Sequence, residues 1–145
     1  MADGMPIIRE FLDELRNHGA QTASSDETWQ HGAAVCRVAG LGLVMIVATE
    51  ANPGQWLLAA ADVQRLQQRA ATDGTPCWYV FLISRRDGRG ANGYVVRDLA
   101  GSPLKRTLEP DGDDYDIREK RHLDSLRLLL STEKIADVLL RHRQD

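Results

Sequence analysis

Leu43-Val44-Met45-Ile46-Val47-Ala48-Thr49 and Cys77-Trp78-Tyr79-Val80-Phe81-Leu82-Ile83 are apolar almost without a break. A strand with one wet face alternates apolar and polar residues, because successive side chains point to opposite faces. A short run without that alternation is a strand covered on both faces. Two such runs predict an α/β fold of three layers, with helices on either side of a mixed sheet.

The flanking segments fill in the layers. Between the runs, Asn52-Pro53-Gly54 marks a turn and Gln55–Ala59 reads as a short strand. Ala60 to Thr72 reads as a helix with Val63, Leu66 and Ala70 on its inner face, Asp62 near its start and Gly74 past its end. This helix is expected to be a crossover joining the strand 55–59 to a parallel neighbour. Upstream, Ala33–Ala39 reads as a strand turned back at Gly40-Leu41-Gly42, and the small, polar stretch 20–32 reads as a loop. Pro6 to His18 carries Ile7, Ile8, Phe11, Leu12 and Leu15 on one helical face, with Pro6 suited to the first turn and Gly19 to the stop.

Downstream, Ser84 to Asn92 is a connection, and Gly93–Leu99 reads as a strand forming a hairpin with 77–83. Residues 100–116 contain Gly101, Pro103, Pro110 and the run Asp111-Gly112-Asp113-Asp114-Tyr115-Asp116, which reads as a loop. Two helices are expected to close the chain. Arg118 to Leu130 would pack Leu123, Leu126 and Leu130, and a last helix capped by Ser131 would pack Ile135, Val138 and Leu139. The expectation is a single domain over 1–145, with a core of about five strands over 6–99, a loop at 100–116 and C-terminal helices at 117–143.

Composition narrows the function classes. With 145 residues, 43% hydrophobic and 27% charged, the chain can bury a core without metal or disulfide staples. The net charge of −3 argues against a protein wrapped mainly by nucleic acid. Charge is uneven, however: residues 1–84 hold 5 basic against 9 acidic groups, and 85–145 hold 13 against 12. The opening residues lack a basic region and an apolar stretch, and no apolar run approaches the ~20 residues that span a bilayer. Cys36 and Cys77 read as buried, reduced thiols. A cytoplasmic protein without a membrane partner is expected.

No P-loop, dinucleotide fingerprint or nucleophile elbow occurs, and His18, His31, His122 and His142 lack zinc-site spacing. The acidic run 111–116 lacks the ligand pattern of a calcium loop and reads as a linker. Among the tryptophans, Trp78 reads as core, whereas Trp29 in a polar loop invites a contact role. Arg85, Arg86 and Arg89 on a glycine-bearing connection could grip phosphates, which makes them the candidate nucleic-acid or anion site. Leu128-Leu129-Leu130 and Leu139-Leu140 exceed one helical stripe and suggest a homodimer or protein partner through the C-terminal helices.

The order of an amphipathic helix, a three-stranded meander, a helix and a further buried strand resembles the restriction-endonuclease-like PD-(D/E)XK superfamily, including Holliday-junction resolvases and Mrr-type nucleases. Gln55-Trp56-Leu57-Leu58 with Ala61-Asp62-Val63-Gln64-Arg65-Leu66, then Gly74-Thr75-Pro76-Cys77-Trp78-Tyr79-Val80-Phe81, carry the local likeness, which covers about 6–98. The resemblance implies an Asp on one strand and a Glu-x-Lys triplet on the next, binding Mg²⁺ and activating water. This chain departs from it. Val47 stands at the Glu position and Thr49 at the Lys position, while Ala33-Ala34-Val35-Cys36-Arg37 holds no acid. A substitute set would be Glu50 and Asp26 as metal ligands, with Glu10 as a helix carboxylate.

Three readings follow. The first is a nuclease-like domain lacking a complete catalytic site, acting as a nucleic-acid-associated or protein-interaction module with no cofactor. The second is an active Mg²⁺-dependent nuclease using Glu50, Glu10 and Asp26. The third is a roadblock- or profilin-like scaffold for dimerisation or adaptor work.

Overall fold

The computed structural model describes residues 5–85, 90–99 and 109–143. Its elements are α1 (Met5–Asn17), β1 (Thr22–Ser24), β2 (Ala34–Val38), β3 (Gly42–Thr49), β4 (Gln55–Ala59), α2 (Ala60–Asp73), β5 (Cys77–Ser84), β6 (Ala91–Arg97), β7 (Asp114–Arg118) and α3 (Thr132–Leu140). A 3₁₀ turn spans Gln30–Gly32 and a π-helical turn spans Glu119–Leu123. Five strands form a mixed sheet in the order β1-β2-β3-β5-β6, and β4 pairs with β7 in a separate ribbon. The two apolar runs, β3 and β5, lie side by side in parallel from Leu43 opposite Cys77 to Thr49 opposite Ile83. Every other pairing in the sheet is antiparallel.

Alternate residues of these two strands feed two cores. Val44, Ile46, Trp78, Val80 and Leu82 meet Ile7, Ile8, Phe11 and Leu15 of α1 and Ile135 and Leu139 of α3. Leu43, Met45, Val47, Tyr79, Phe81 and Ile83 meet Val63, Leu66 and Ala70 of α2, together with Trp56, Leu58 and Ile117 of the ribbon. This double coverage is the α/β arrangement expected from the missing alternation. Each fully buried large side chain contributes about 1.5–3 kcal/mol, so the strand pair is the main source of hydrophobic stabilisation. Among the described residues, no helix is long and apolar enough to cross a membrane.

Four expectations need correction. The parallel neighbour of β5 is β3, and β4 has left the sheet. β4 buries Trp56 and Leu58 but exposes Gln55 and Leu57, so it suits a one-sided ribbon and not a doubly covered sheet. The stretch read as a loop at 20–32 contains β1, a three-residue edge strand paired with β2.

The largest departure is at 109–130. The part of the supposed loop 100–116 that is described includes the start of β7, whose Tyr115 and Ile117 face the core opposite Leu58 and Trp56; 100–108 lie outside the described residues. The expected helix 118–130 is absent. After one π-helical turn the chain extends, and Leu129 and Gly93 exchange two backbone hydrogen bonds of 2.9 Å. Tertiary bonds override the helical leucine spacing here. The Glu119 side chain is drawn inward, and Arg118 N–H donates to His122 Nδ1 at 2.9 Å.

α3 is therefore the one C-terminal α-helix among the described residues, with the Ser131 hydroxyl accepting from Lys134 N–H as a cap. The fourth correction concerns the leucines. Leu129, Leu139 and Leu140 are buried within the chain, and Leu130 at 65% exposure stands out alone. Three of the five leucines that suggested a partner are therefore internal core, and Leu128 is half-buried.

Gly93 allows that close approach on β6. A Cβ there would run into the Phe81 carbonyl oxygen and come within 3.0 Å of the Ile135 side chain. Gly93→Ala is expected to lower unfolding stability by about 1–3 kcal/mol, measured by denaturant titration.

Cys36 and Cys77 are both free and buried. Burial pushes the Cys36 thiol from 9.0 up to about 12. Burial, then the nearby Asp98 charge, raises Cys77 to about 11. The unfolded chain loses these protons near pH 9 while the folded chain keeps them. Their stabilising contribution is thus complete below about pH 9 and falls as pH rises toward 12. Cys36→Ala should show a shallower decline of denaturant midpoint between pH 9 and 11 than the parent chain.

Candidate functional site

The parallel strands β3 and β5 end at the same pole, and in open α/β sheets the crevice beyond the carboxyl ends of parallel strands is the usual ligand position. A cleft of about 580 Å³ lies there, lined by Glu50, Asn52, Ser84, Arg85, Asn92 and Glu119, among others. Glu50 and Arg85 are the first residues after β3 and β5, so strand pairing sets both at the rim.

Glu10 approaches from α1. Its Oε1 and the Arg85 Cδ lie 3.9 and 4.0 Å from the point where a Cβ on Gly90 would stand. The structure thus brings Glu10, Glu50 and Arg85 to one end of the sheet. Arg86 and Arg89 lie outside the described residues.

Asp26 is not part of this group. It lines a different cleft with Ser24, Ser25, Glu27, Cys36 and Arg69. The loop that carries it is anchored to α2, where Glu27 pairs with Arg65 at 3.0 Å and with Arg69. The backbone N–H of Gln30 also donates to Asp62 Oδ2 at 2.7 Å. Asp26 and Glu50 therefore line different clefts. Among the described residues, no three His, Cys, Asp or Glu side chains are placed to hold a metal ion.

The positions that the family likeness would assign to Glu and Lys are structural. Val47 is 3% exposed and packs in the core on the α2 side. The Thr49 hydroxyl accepts from Ala51 N–H at 3.1 Å and ends the strand. Trp29, which invited a contact role, is buried beneath the Arg65 guanidinium, 3.9 Å from its ring.

The polar anchor of the cleft is Glu119, a residue that no sequence pattern singled out. Its Oε1 accepts from Gly54 N–H at 2.8 Å and its Oε2 from the Tyr94 hydroxyl at 2.5 Å. Glu119 N–H in turn donates to the Gly54 carbonyl at 2.9 Å. One carboxylate therefore ties the turn after β3, the strand β6 and the end of β7 together. Burial, and next the bond to Glu119, push the Tyr94 hydroxyl well above the usual phenol range, so it remains a donor. Only the spacing Tyr115-x-Ile117, a strand signal at the end of the acidic run, hinted that the following residues were not helical.

Comparison with protein-family models, with curated proteins and with solved structures gave no match.

Removing the Glu119 carboxylate leaves the Gly54 N–H and the Tyr94 hydroxyl without their acceptor. Glu119→Ala should cost about 2 kcal/mol or more. A double-mutant cycle with Tyr94→Phe should show a coupling of at least about 0.5 kcal/mol in chemical denaturation.

Proposed function

We propose that this chain is a cytoplasmic, nuclease-like α/β domain without a working catalytic centre, serving as a nucleic-acid-associated module. The observation that carries this reading is Val47, a buried core residue at the place where the family likeness calls for a metal-binding glutamate. The sheet holds a meander and a crossover of the kind the likeness implies, with β1-β2-β3 as the meander in place of the strands read at 33–39, 43–49 and 55–59. It follows an N-terminal helix with an antiparallel meander, β1-β2-β3, and a crossover through α2 to a strand parallel to β3.

The chemistry runs in the same direction. Mg²⁺-assisted hydrolysis needs clustered carboxylates to hold the ion and a base or metal to activate water. At this pole Glu119 spends its oxygens on Gly54 and Tyr94, leaving Glu50 with Glu10 near Arg85. What the cleft offers a nucleic acid is a guanidinium at Arg85 and the polar side chains of Asn52, Ser84 and Asn92. Such groups suit phosphate and sugar contacts, which position a strand without reading its sequence.

The test pairs binding with cleavage. Short DNA and RNA should bind with strong salt dependence, and R85A/R86A/R89A should lower the slope of log affinity against log salt by about 1–3. Mg²⁺ and Mn²⁺ should produce no cleavage. Metal-dependent cleavage abolished by Glu50→Ala would establish the active nuclease instead. An unchanged, salt-insensitive affinity in the triple variant would remove the nucleic-acid role.

A further inference from the structure

Arg118-Glu119-Lys120-Arg121-His122-Leu123-Asp124 holds one apolar residue in seven, yet Glu119, His122 and Leu123 are all buried. The stretch makes the single π-helical turn that follows β7. Such turns are rare and recur at functional sites. Three fastenings hold this one. Leu123 sits in the core on the α2 side, and Glu119 is bonded to Gly54 and Tyr94. The third is His122, whose Nδ1 accepts from Arg118 N–H at 2.9 Å across the turn.

That last bond fixes the state of the ring. A nitrogen that accepts a backbone N–H carries a lone pair and no proton, so the ring is neutral with its hydrogen on Nε2. Whatever Nε2 meets, Nδ1 has to give up Arg118 N–H before it can take a proton. At 7% exposure an imidazolium here would also lose most of its hydration. Both effects have one sign. The closed turn favours the neutral ring, and a protonated ring favours the released turn.

The charged neighbours are largely engaged with other groups. The Arg118 guanidinium pairs with Asp116 of β7 at 3.2 Å. Glu119, the carboxylate that would most favour a proton on the ring, already accepts from Gly54 and from Tyr94 of β6. Lys120, Arg121 and Asp124 are exposed, and Asp124 has a partner of its own. Further along β7, Asp114 Oδ1 meets His31 Nε2 at 2.8 Å, a contact that a proton on His31 would strengthen. His31 therefore acts on β7 with the opposite sign.

We propose that His122 is an acid-sensitive latch on the wall of the cleft at the Arg85 pole. The turn lies between two residues that line this cleft, Glu119 and Leu128. At neutral pH the ring holds Arg118 N–H and keeps Glu119 seated on Gly54 and Tyr94. As pH falls below the usual histidine value of about 6.5, the ring takes a proton, drops Arg118 N–H and frees the turn. The stabilisation is thus present above that range and lost beneath it. Control of ligand binding by this movement, unlike the movement itself, rests on the nucleic-acid reading of the cleft.

The test is an NMR pH titration of the full chain, following the His122 ring and the amides of Gly54, Tyr94, Arg118 and Glu119. One shared midpoint below about 6.5 is expected, with the amides of β3 and β5 steady. His122→Asn keeps an acceptor near the place of Nδ1 and cannot titrate, so its four amides should hold their neutral-pH shifts throughout. His31→Gln should leave the midpoint in place. A ring that takes its proton while the four amides stay still would overturn the latch. So would a ring that takes none before the whole chain unfolds, or a folded His122→Asn chain with the parent's response.

Binding separates the latch from the function. Between about pH 7.5 and 5.5, a short DNA strand should lose about threefold more affinity for the parent chain than for His122→Asn. Amides that titrate together while the two chains keep the same affinity ratio would support the latch and remove the nucleic-acid reading of this cleft.

Discussion

Leu43–Thr49 and Cys77–Ile83 lie parallel and adjacent, so no hairpin can join them and the chain between must leave the sheet and return. That constraint organises most of the molecule. The excursion carries β4 and α2 across one face, where Val63 and Leu66 cover Met45, Val47, Tyr79 and Phe81. The other face then needs its own cover, which α1 and α3 supply. The same pairing gives the sheet two unlike poles. One holds the carboxyl ends of both strands with Glu50 and Arg85, and the other holds the turns with Arg37, Arg97 and His142.

The central strands, α1, α2 and α3 were legible because each carries a local signal that tertiary packing reinforces. Seven-residue apolar runs, a helical stripe through Phe11 and Leu15, a left-handed Gly74 after α2 and a Ser131 cap all agree with the final arrangement. β1 was not legible, since Thr22-Ala23-Ser24 is a short, largely exposed edge with no apolar member to betray it. β7 was hidden by its own charge. Asp114 and Asp116 made the segment look like a solvated linker, while Tyr115 and Ile117, which alternate with them, take part in the core of the α2 side. The supposed helix after it fails because of contacts far away in sequence, the bonds of Glu119 to Gly54 and Tyr94.

The site shows the same division. Glu50 and Arg85 could be placed from sequence because the residue after a buried strand must emerge at its end. Glu10 falls near them because α1 covers β3 and β5. Asp26 could not be placed. Its position depends on Glu27 finding Arg65 and Arg69 on a helix some 40 residues away, and on Asp62 accepting from Gln30. Glu119 was invisible as a site residue for the converse reason, being charged, late in the chain and drawn inward only by the fold. Hydrophobic pressure on Val47 from both β5 and the α2 layer leaves no room for a charged ligand.

Among the described residues, the carboxylates do not gather into a group of three that could hold a metal ion. The most direct test of this is Mn²⁺ titration of the isotopically labelled chain, read as paramagnetic broadening of amide signals. Weak broadening spread over exposed acidic residues is expected, with no set of amides around Glu10, Asp26 and Glu50 lost together at low Mn²⁺. Early, joint and saturable loss of signals around all three would contradict it and restore a metal-dependent active site.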